Sequence, residues 1–146
     1  GDVLVTPDRV YIGLSGRTDA AGARALAGLL EGLGYRAEVV DTPAGVLHFK
    51  TATALLDEET IVATSAMAGS GIFNGFRVLT IPQGEEPAAN LIRVNDRVLA
   101  GADYPRTLEL LEADGHPVVP LPVSQVRRID AGLSCMSLRW RDPRPD

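Results

Sequence analysis

Cysteine is almost absent from this sequence: Cys135 stands alone among 146 residues. One cysteine cannot close an internal disulfide, which suits a reducing compartment. Histidine is nearly as scarce, and with His48 and His116 far apart no metal-ligand spacing exists, so neither a metal nor a cofactor is expected. Long apolar runs are missing too. The longest are a few residues, well short of a membrane span, and no basic start leads into an apolar core as in a signal peptide. No membrane partner is expected, and the location these absences imply is cytoplasmic. The 14 Lys and Arg are outnumbered by 19 Asp and Glu, for a net charge of -5. They are scattered without a stripe to follow a phosphate backbone, which argues against nucleic acid. What is present is a hydrophobic content of 45% in 146 residues, enough for one domain with its own core.

In chain order one plan repeats. Val3 to Val5 and Val10 to Ile12 are β-branched runs around Thr6-Pro7-Asp8-Arg9 and predict a hairpin. Thr18 or Asp19 can cap a helix from about Ala20 to Leu33, in which Ala23, Leu26, Ala27, Leu30 and Leu33 recur at helical spacing and Gly34 follows. Tyr35 to Val40 reads as a strand. A second hairpin, Thr53 to Leu56 and Thr60 to Ala63, surrounds Asp57-Glu58-Glu59. Ser65 to Phe76 is rich in Gly, Ser and Ala and leaves a short helix and a mobile loop both open, before a returning strand at Arg77 to Ile81. The third unit has Leu91 to Val94, an Asn95-Asp96 turn, Val98 to Ala100, a helix from Pro105 to about Ala113 and a strand at Val118 to Leu121. Ser124 to Arg128 predicts a helical turn. The apolar run opened by Cys135 reads as a buried strand, with Met136 and Trp140 as packing residues. Glu85-Glu86 reads as a solvated loop and His116 as an exposed turn residue. Residues 1–140 form the expected domain portion, and 141–146 a polar, Pro-rich tail.

Two stretches carry the chemistry. Cys135 lies in Ile129-Asp130-Ala131-Gly132-Leu133-Ser134-Cys135-Met136-Ser137-Leu138-Arg139-Trp140, shortly after a Gly that lets backbone and substrate approach closely. On pattern alone a lone Cys packs as a small hydrophobe. Read as a nucleophile, it needs a base that is adjacent in space, whatever the distance in sequence. His48, in Gly45-Val46-Leu47-His48-Phe49-Lys50-Thr51, is the candidate, although by itself it reads as a satisfied histidine at a strand edge.

Together with Ser15-Gly16-Arg17-Thr18-Asp19, Ala88-Ala89-Asn90 and Gly101-Ala102-Asp103-Tyr104-Pro105-Arg106-Thr107, these stretches resemble the dimethylarginine dimethylaminohydrolases of the guanidino-modifying pentein superfamily, in the same order from Gly1 to Trp140. The resemblance implies an α/β fold, the pentein-type β/α propeller built of ββαβ modules, with about three of the five modules present. The chain begins Gly1-Asp2-Val3-Leu4-Val5 with neither Met nor lead-in, and reads as cut. Two missing modules would uncover two apolar faces, so the missing N-terminal modules of the same protein, or another copy of the chain, are the expected macromolecular partners.

The implied reaction hydrolyses Nω-methylated L-arginine, a small-molecule guanidino substrate, to L-citrulline and a methylamine through a covalent thiouronium. Cys135 attacks the guanidinium carbon, and His48 protonates the leaving amine and then activates water. Arg17, by itself a solvated residue ahead of a helix, matches a clamp for the α-carboxylate, a task suited to a planar bidentate donor. Ile129, through its carbonyl, matches a holder of the substrate amino group; Asp130 either helps hold it or starts a turn. In the family a catalytic Glu precedes the Gly-Asp that is Gly1-Asp2 here, and the acidic residues gripping the guanidinium lie farther upstream; without them this chain is expected to turn over little or not at all. Ala131-Gly132 stands where members often carry Gly-Gly. The rivals are arginine deiminase and amidinotransferases of the same fold, which usually have an Asp where Lys50 stands, and a noncatalytic binding or regulatory fragment. Zinc bridging Cys135 and His48 would have too few protein ligands for a dedicated site.

Overall fold

The computed structural model describes residues 1–138. Each expected unit closes into its own three-stranded sheet. In the first, β1 (Val3–Val5) pairs antiparallel with β2 (Val10–Leu14), and the chain returns through α1 (Ala20–Gly32) to lay β3 (Ala37–Asp41) parallel to β2. The second has β4 (Thr53–Leu55), β5 (Thr60–Ala63), α2 (Ser65–Ala68) and β6 (Arg77–Thr80) in the same pairing. The third repeats it with β7 (Ile92–Val94), β8 (Arg97–Gly101), α3 (Pro105–Ala113) and β9 (Val118–Leu121), after which α4 (Ser124–Arg127) makes one turn. The Gly- and Ser-rich stretch after β5 therefore holds a single helical turn, α2, followed by loop.

Local chemistry sets the helix limits. Asp19 is the cap of α1, its Oδ1 accepting the Gly22 N–H at 2.7 Å, while Thr18 donates to Asp2 at 2.8 Å. Both longer helices stop at a glycine with positive φ, Gly34 at 85° and Gly115 at 87°. In each, the glycine N–H and the next N–H turn back onto the last turn: Gly34 to Glu31 and Tyr35 to Leu30, both at 2.9 Å, then Gly115 to Glu112 at 2.9 Å and His116 to Leu111 at 3.0 Å. A side chain larger than hydrogen is strained in that backbone conformation. Of the α1 stripe only Ala23 is buried, and Leu29, Leu33 and Tyr35 stay 69%, 74% and 53% exposed, an apolar patch at the C-terminal end of the helix.

The core is continuous because β5 is buried on both faces. Side chains alternate across a strand, and here Ile61 and Ala63 enter a cluster with Leu4, Tyr11, Phe49, Met67 and Phe73, while Val62 enters a second with Leu56, Ile81, Leu91, Val98 and Leu111. The first cluster joins sheets one and two; the second joins sheets two and three. Phe73 stands edge-on to Tyr11 and Phe49, with centroids 5.9 and 5.8 Å apart. Gly13 in β2 leaves the room, since a Cβ there would lie 2.7 Å from the Phe49 ring.

Two buried carboxylates tie distant segments together. Asp2 accepts the Phe49 N–H at 2.8 Å and the hydroxyls of Ser15 and Thr18 at 3.0 and 2.8 Å, and the neighbouring Gly1 carbonyl accepts the Lys50 N–H at 2.9 Å. Glu85, expected in a solvated loop, is buried instead, because the first turn of α3 has donors that need an acceptor. It accepts the Thr107 N–H at 2.8 Å, the Thr107 hydroxyl at 2.7 Å and the Arg106 N–H at 3.2 Å. Its neighbour Glu86 is exposed, as expected. His116 is another correction: its side chain is largely buried, with Nε2 3.1 Å from Asp114 and 3.9 Å from Asp57. The Schellman closure of α3 draws it inward. Trp140 and the tail 141–146 lie outside the described residues.

Burial opposes ionisation of Glu85, and the hydrogen bonds from Thr107 and Arg106 outweigh it, leaving the carboxyl below its ordinary value. The stability this adds is complete above the unfolded value of about 4.3 and is lost as pH falls through the lowered folded value. Glu85→Gln should therefore cost about 1–3 kcal/mol in denaturant unfolding at neutral pH, with the gap closing in acid; an equal gap at both pH values would contradict this. For Asp2 the opposing burial is outweighed by Phe49, Thr18, Ser15 and the charge of His48. Asp2→Ala should destabilise by about the same amount and speed amide exchange at Phe49, which unchanged exchange there would refute.

Candidate active site

His48 sits at the mouth of a 3-10 turn, Phe49–Thr51, whose first residue is locked in the core. Thr51 Oγ1 accepts the His48 N–H at 3.3 Å and donates to the His48 carbonyl at 2.7 Å, so the backbone on both sides of the ring is held. The ring packs against Gly1: a Cβ on Gly1 would lie 2.7 Å from two of its carbons. Asp2, next in the chain, holds the Phe49 N–H. The position of His48 is thus set by Thr51 beside it and by the two residues just ahead of β1.

Cys135 lies on a turn over residues 133–136 and is exposed, in contrast to the buried strand expected from the apolar run around it. Met136 is 61% and Leu138 86% exposed, while Leu133 ahead of the cysteine packs against the second cluster. The turn is held by Asn90, which follows the short 3-10 helix Glu86–Ala89 and is buried beside Ala88 and Ala89. Asn90 Oδ1 accepts the Ser134 N–H at 3.0 Å and the Ser134 hydroxyl at 2.6 Å, and its Nδ2 donates to Cys135 Sγ at 3.3 Å. Partial burial alone would push the thiol up. Hydrogen bonds from Asn90, the Gly132 backbone and Ser134, with the charge of Lys50, outweigh that and leave it below the ordinary thiol value.

Cys135 and His48 line one cavity of about 340 Å³, together with Gly1, Lys50, Thr51 and Ser134. A larger one, about 650 Å³, shares Thr51 as a wall and is bounded by Asn90, Asp130, Gly132, Tyr104 and Arg127. Two of its lining hydroxyls, Thr64 and Tyr104, are buried without a hydrogen-bond partner among the described residues. The smaller space holds a thiol and an imidazole; the larger offers room and unspent polar groups beside it. Asp130, at positive φ of 53°, faces the larger one. Ile129 is 74% exposed and lines neither. Arg17 is exposed on the turn between β2 and α1 and also lines neither. Among the described residues no three His, Cys, Asp or Glu are grouped to hold a metal ion, and no helix is long and apolar enough to cross a membrane.

Sequence reasoning undervalued Asn90 and Lys50. Asn90 read equally well as a polar turn residue; the signal was the pair of small residues before it, which lets the segment bury. Lys50 read as a mark of which enzyme the chain resembles, yet it faces the thiol.

No protein-family model matches the chain. It is similar to the N(G),N(G)-dimethylarginine dimethylaminohydrolase of Pseudomonas aeruginosa, 41% identical over 140 residues, which is 96% of this chain and 55% of that protein. The enzyme of that name from Streptomyces coelicolor is 34% identical over 145 residues, 97% of this chain and 54% of the relative. The chain spans about half the length of these curated relatives. Among solved structures, a mutant of the Pseudomonas aeruginosa enzyme with Ser in place of Cys, complexed with citrulline, matches with a TM-score of 0.90 at 40% identity, over 95% of this chain and 54% of that one. A dimethylarginine dimethylaminohydrolase with Gly in place of His, as an adduct with S-methyl-L-thiocitrulline, matches at 0.91 and 41%, over 96% and 55%. The inosamine-phosphate amidinotransferase of Streptomyces griseus, at 18% identity and a TM-score of 0.84 over 99% of this chain and 46% of that one, shares the fold. In sequence and in fold the chain is a homologue of the dimethylarginine dimethylaminohydrolases, with the pentein architecture over the half that it matches.

Proposed function

We propose that the protein carrying this chain hydrolyses Nω-methylated L-arginine to L-citrulline and a methylamine, with Cys135 as nucleophile and His48 as acid and base. The observation that carries the reading is that both side chains line one cavity, with the thiol held below its ordinary value. A second point supports it. The Cys and His substituted in the two solved relatives are separated in sequence by as many residues as Cys135 and His48.

A guanidinium is delocalised and charged far above neutral pH, so its carbon is a reluctant electrophile. The Cys135 thiolate adds to that carbon, forming the C–S bond, and the C–N bond to dimethylamine breaks as His48 gives the amine its proton. A thiouronium on Cys135 remains. Water, deprotonated by His48, then adds to the same carbon; the C–S bond breaks and its electron pair returns to sulfur, releasing citrulline. One imidazole serves both steps because its ordinary pKa lies near neutrality. Asp130 and Glu86 line the larger cavity and suit a cationic substrate, with Asp130 as the contact for its amino group. Ile129 would contribute its carbonyl to the same amino group. Arg17 is assigned to the α-carboxylate: its turn hangs from Asp2 through Ser15 and Thr18, and the same carboxylate holds the His48 loop.

His48→Gly, incubated with S-methyl-L-thiocitrulline and quenched in acid, should accumulate a covalent adduct by intact mass, located on Cys135 by peptide mapping. Cys135→Ser should give none. An adduct that forms equally on Cys135→Ser, or elsewhere in the chain, would remove Cys135 from the mechanism. In the protein carrying this chain, a citrulline assay should show dimethylarginine consumed at least tenfold faster than arginine, the order of discrimination that one methyl-sized pocket supplies. Faster use of plain arginine would make it a deiminase.

A further inference from the structure

Asn90 is assigned no part in the reaction by the chemistry above, yet it is the side chain most directly engaged with the sulfur. From its geometry we infer that Asn90 is a positioning residue that orients Cys135 and selects its ionised form, and that Gly132 is the opening through which it reaches the thiol. The inference rests on Cys135 being the nucleophile.

The orientation of the amide is determined by its partners. The Ser134 backbone N–H can only donate, and it points at Oδ1 from 3.0 Å, with the Ser134 hydroxyl at 2.6 Å on the same oxygen. The amide nitrogen therefore faces Sγ, at 3.3 Å, as a donor. A neutral thiol is a weak acceptor and a thiolate a strong one, so a fixed N–H aimed at sulfur favours the ionised form. Because Asn90 is buried and its oxygen is already engaged, the donor cannot turn away from the sulfur without leaving two bonds to Ser134 unmade. The space that admits it is narrow. A Cβ on Gly132 would lie 2.2 Å from Asn90 Nδ2 and 2.3 Å from its Cγ, so any other residue at 132 would displace the amide.

The single cysteine makes the test direct. The rate of Cys135 alkylation by iodoacetamide, followed by intact mass from pH 5 to 10, reports its thiolate fraction with no substrate present. Asn90→Asp keeps an oxygen for Ser134 but replaces the donor with a negative charge. Its midpoint should move upward, with alkylation at neutral pH slower by about tenfold, the size of effect expected when a charge-assisted hydrogen bond is lost. Gly132→Ala should shift the midpoint in the same direction, and it decides the matter if Asn90→Asp does not fold. Chains unfolded in urea provide the reference and should all share one midpoint. A folded Asn90→Asp or Gly132→Ala whose midpoint coincides with the parent's would overturn the inference. The underlying reading fails separately: Cys135→Ala retaining hydrolysis would dismiss the nucleophile while leaving the alkylation result intact.

Discussion

Everything in this molecule depends on one strand being apolar on both faces. The four residues of β5 bury completely because consecutive side chains serve different cores, one shared with the first sheet and one with the third. A strand that faced water on one side would alternate polar and apolar, and would leave the three sheets as separate hairpins with a helix apiece. A two-stranded hairpin is marginally stable at best alone, and a third strand helps only where an apolar face is covered. The shared strand turns three marginal units into one body, and the site is built on the segments that run between them.

Those segments are secured by polar side chains used sparingly. Asp2, Glu85 and Asn90 are all buried, each accepts from backbone N–H groups far away in sequence, and each therefore does at a loop what a ladder does in a sheet. Buried acceptors of this kind are stable only when satisfied, and here each has two to four donors. The cavity inherits its geometry from them. The His48 segment is fixed through Asp2 and Cys135 through Asn90, so each of the two side chains is held by a residue more than forty positions away in sequence.

Much of this could be read from the residues. The strands and the two longer helices follow from β-branched runs, turn residues and the glycines at 34 and 115, because those signals are local and the backbone obeys them. Cys135 and His48 stood out through the scarcity of Cys and His combined with the surrounding stretches, and the two side chains line one cavity. Three things were not legible, for one physical reason. Glu85 looked solvated and is buried; His116 looked exposed and is tucked beside Asp114; Cys135 and Met136 looked like the start of a buried strand and lie on an exposed turn. Whether a polar residue is buried depends on donors supplied from elsewhere in the chain, and whether an apolar run is buried depends on a neighbouring sheet. Neither is written in a window of ten residues.

The way the cavity is assembled also bears on how the chain folds. Its walls come from the first residue, the segment around His48 and the turn at Cys135, with the Asn90 segment behind it, so they are drawn from nearly the whole described sequence. Hairpins form in microseconds, whereas contacts this distant wait for the loops between them to close. A chain with only its local hairpins and helices formed lacks the Asn90 contact to Cys135. The bonds from the Asn90 segment to Ser134 and Cys135, which join residues 44 and 45 apart in sequence, therefore form only when the turn at Cys135 docks.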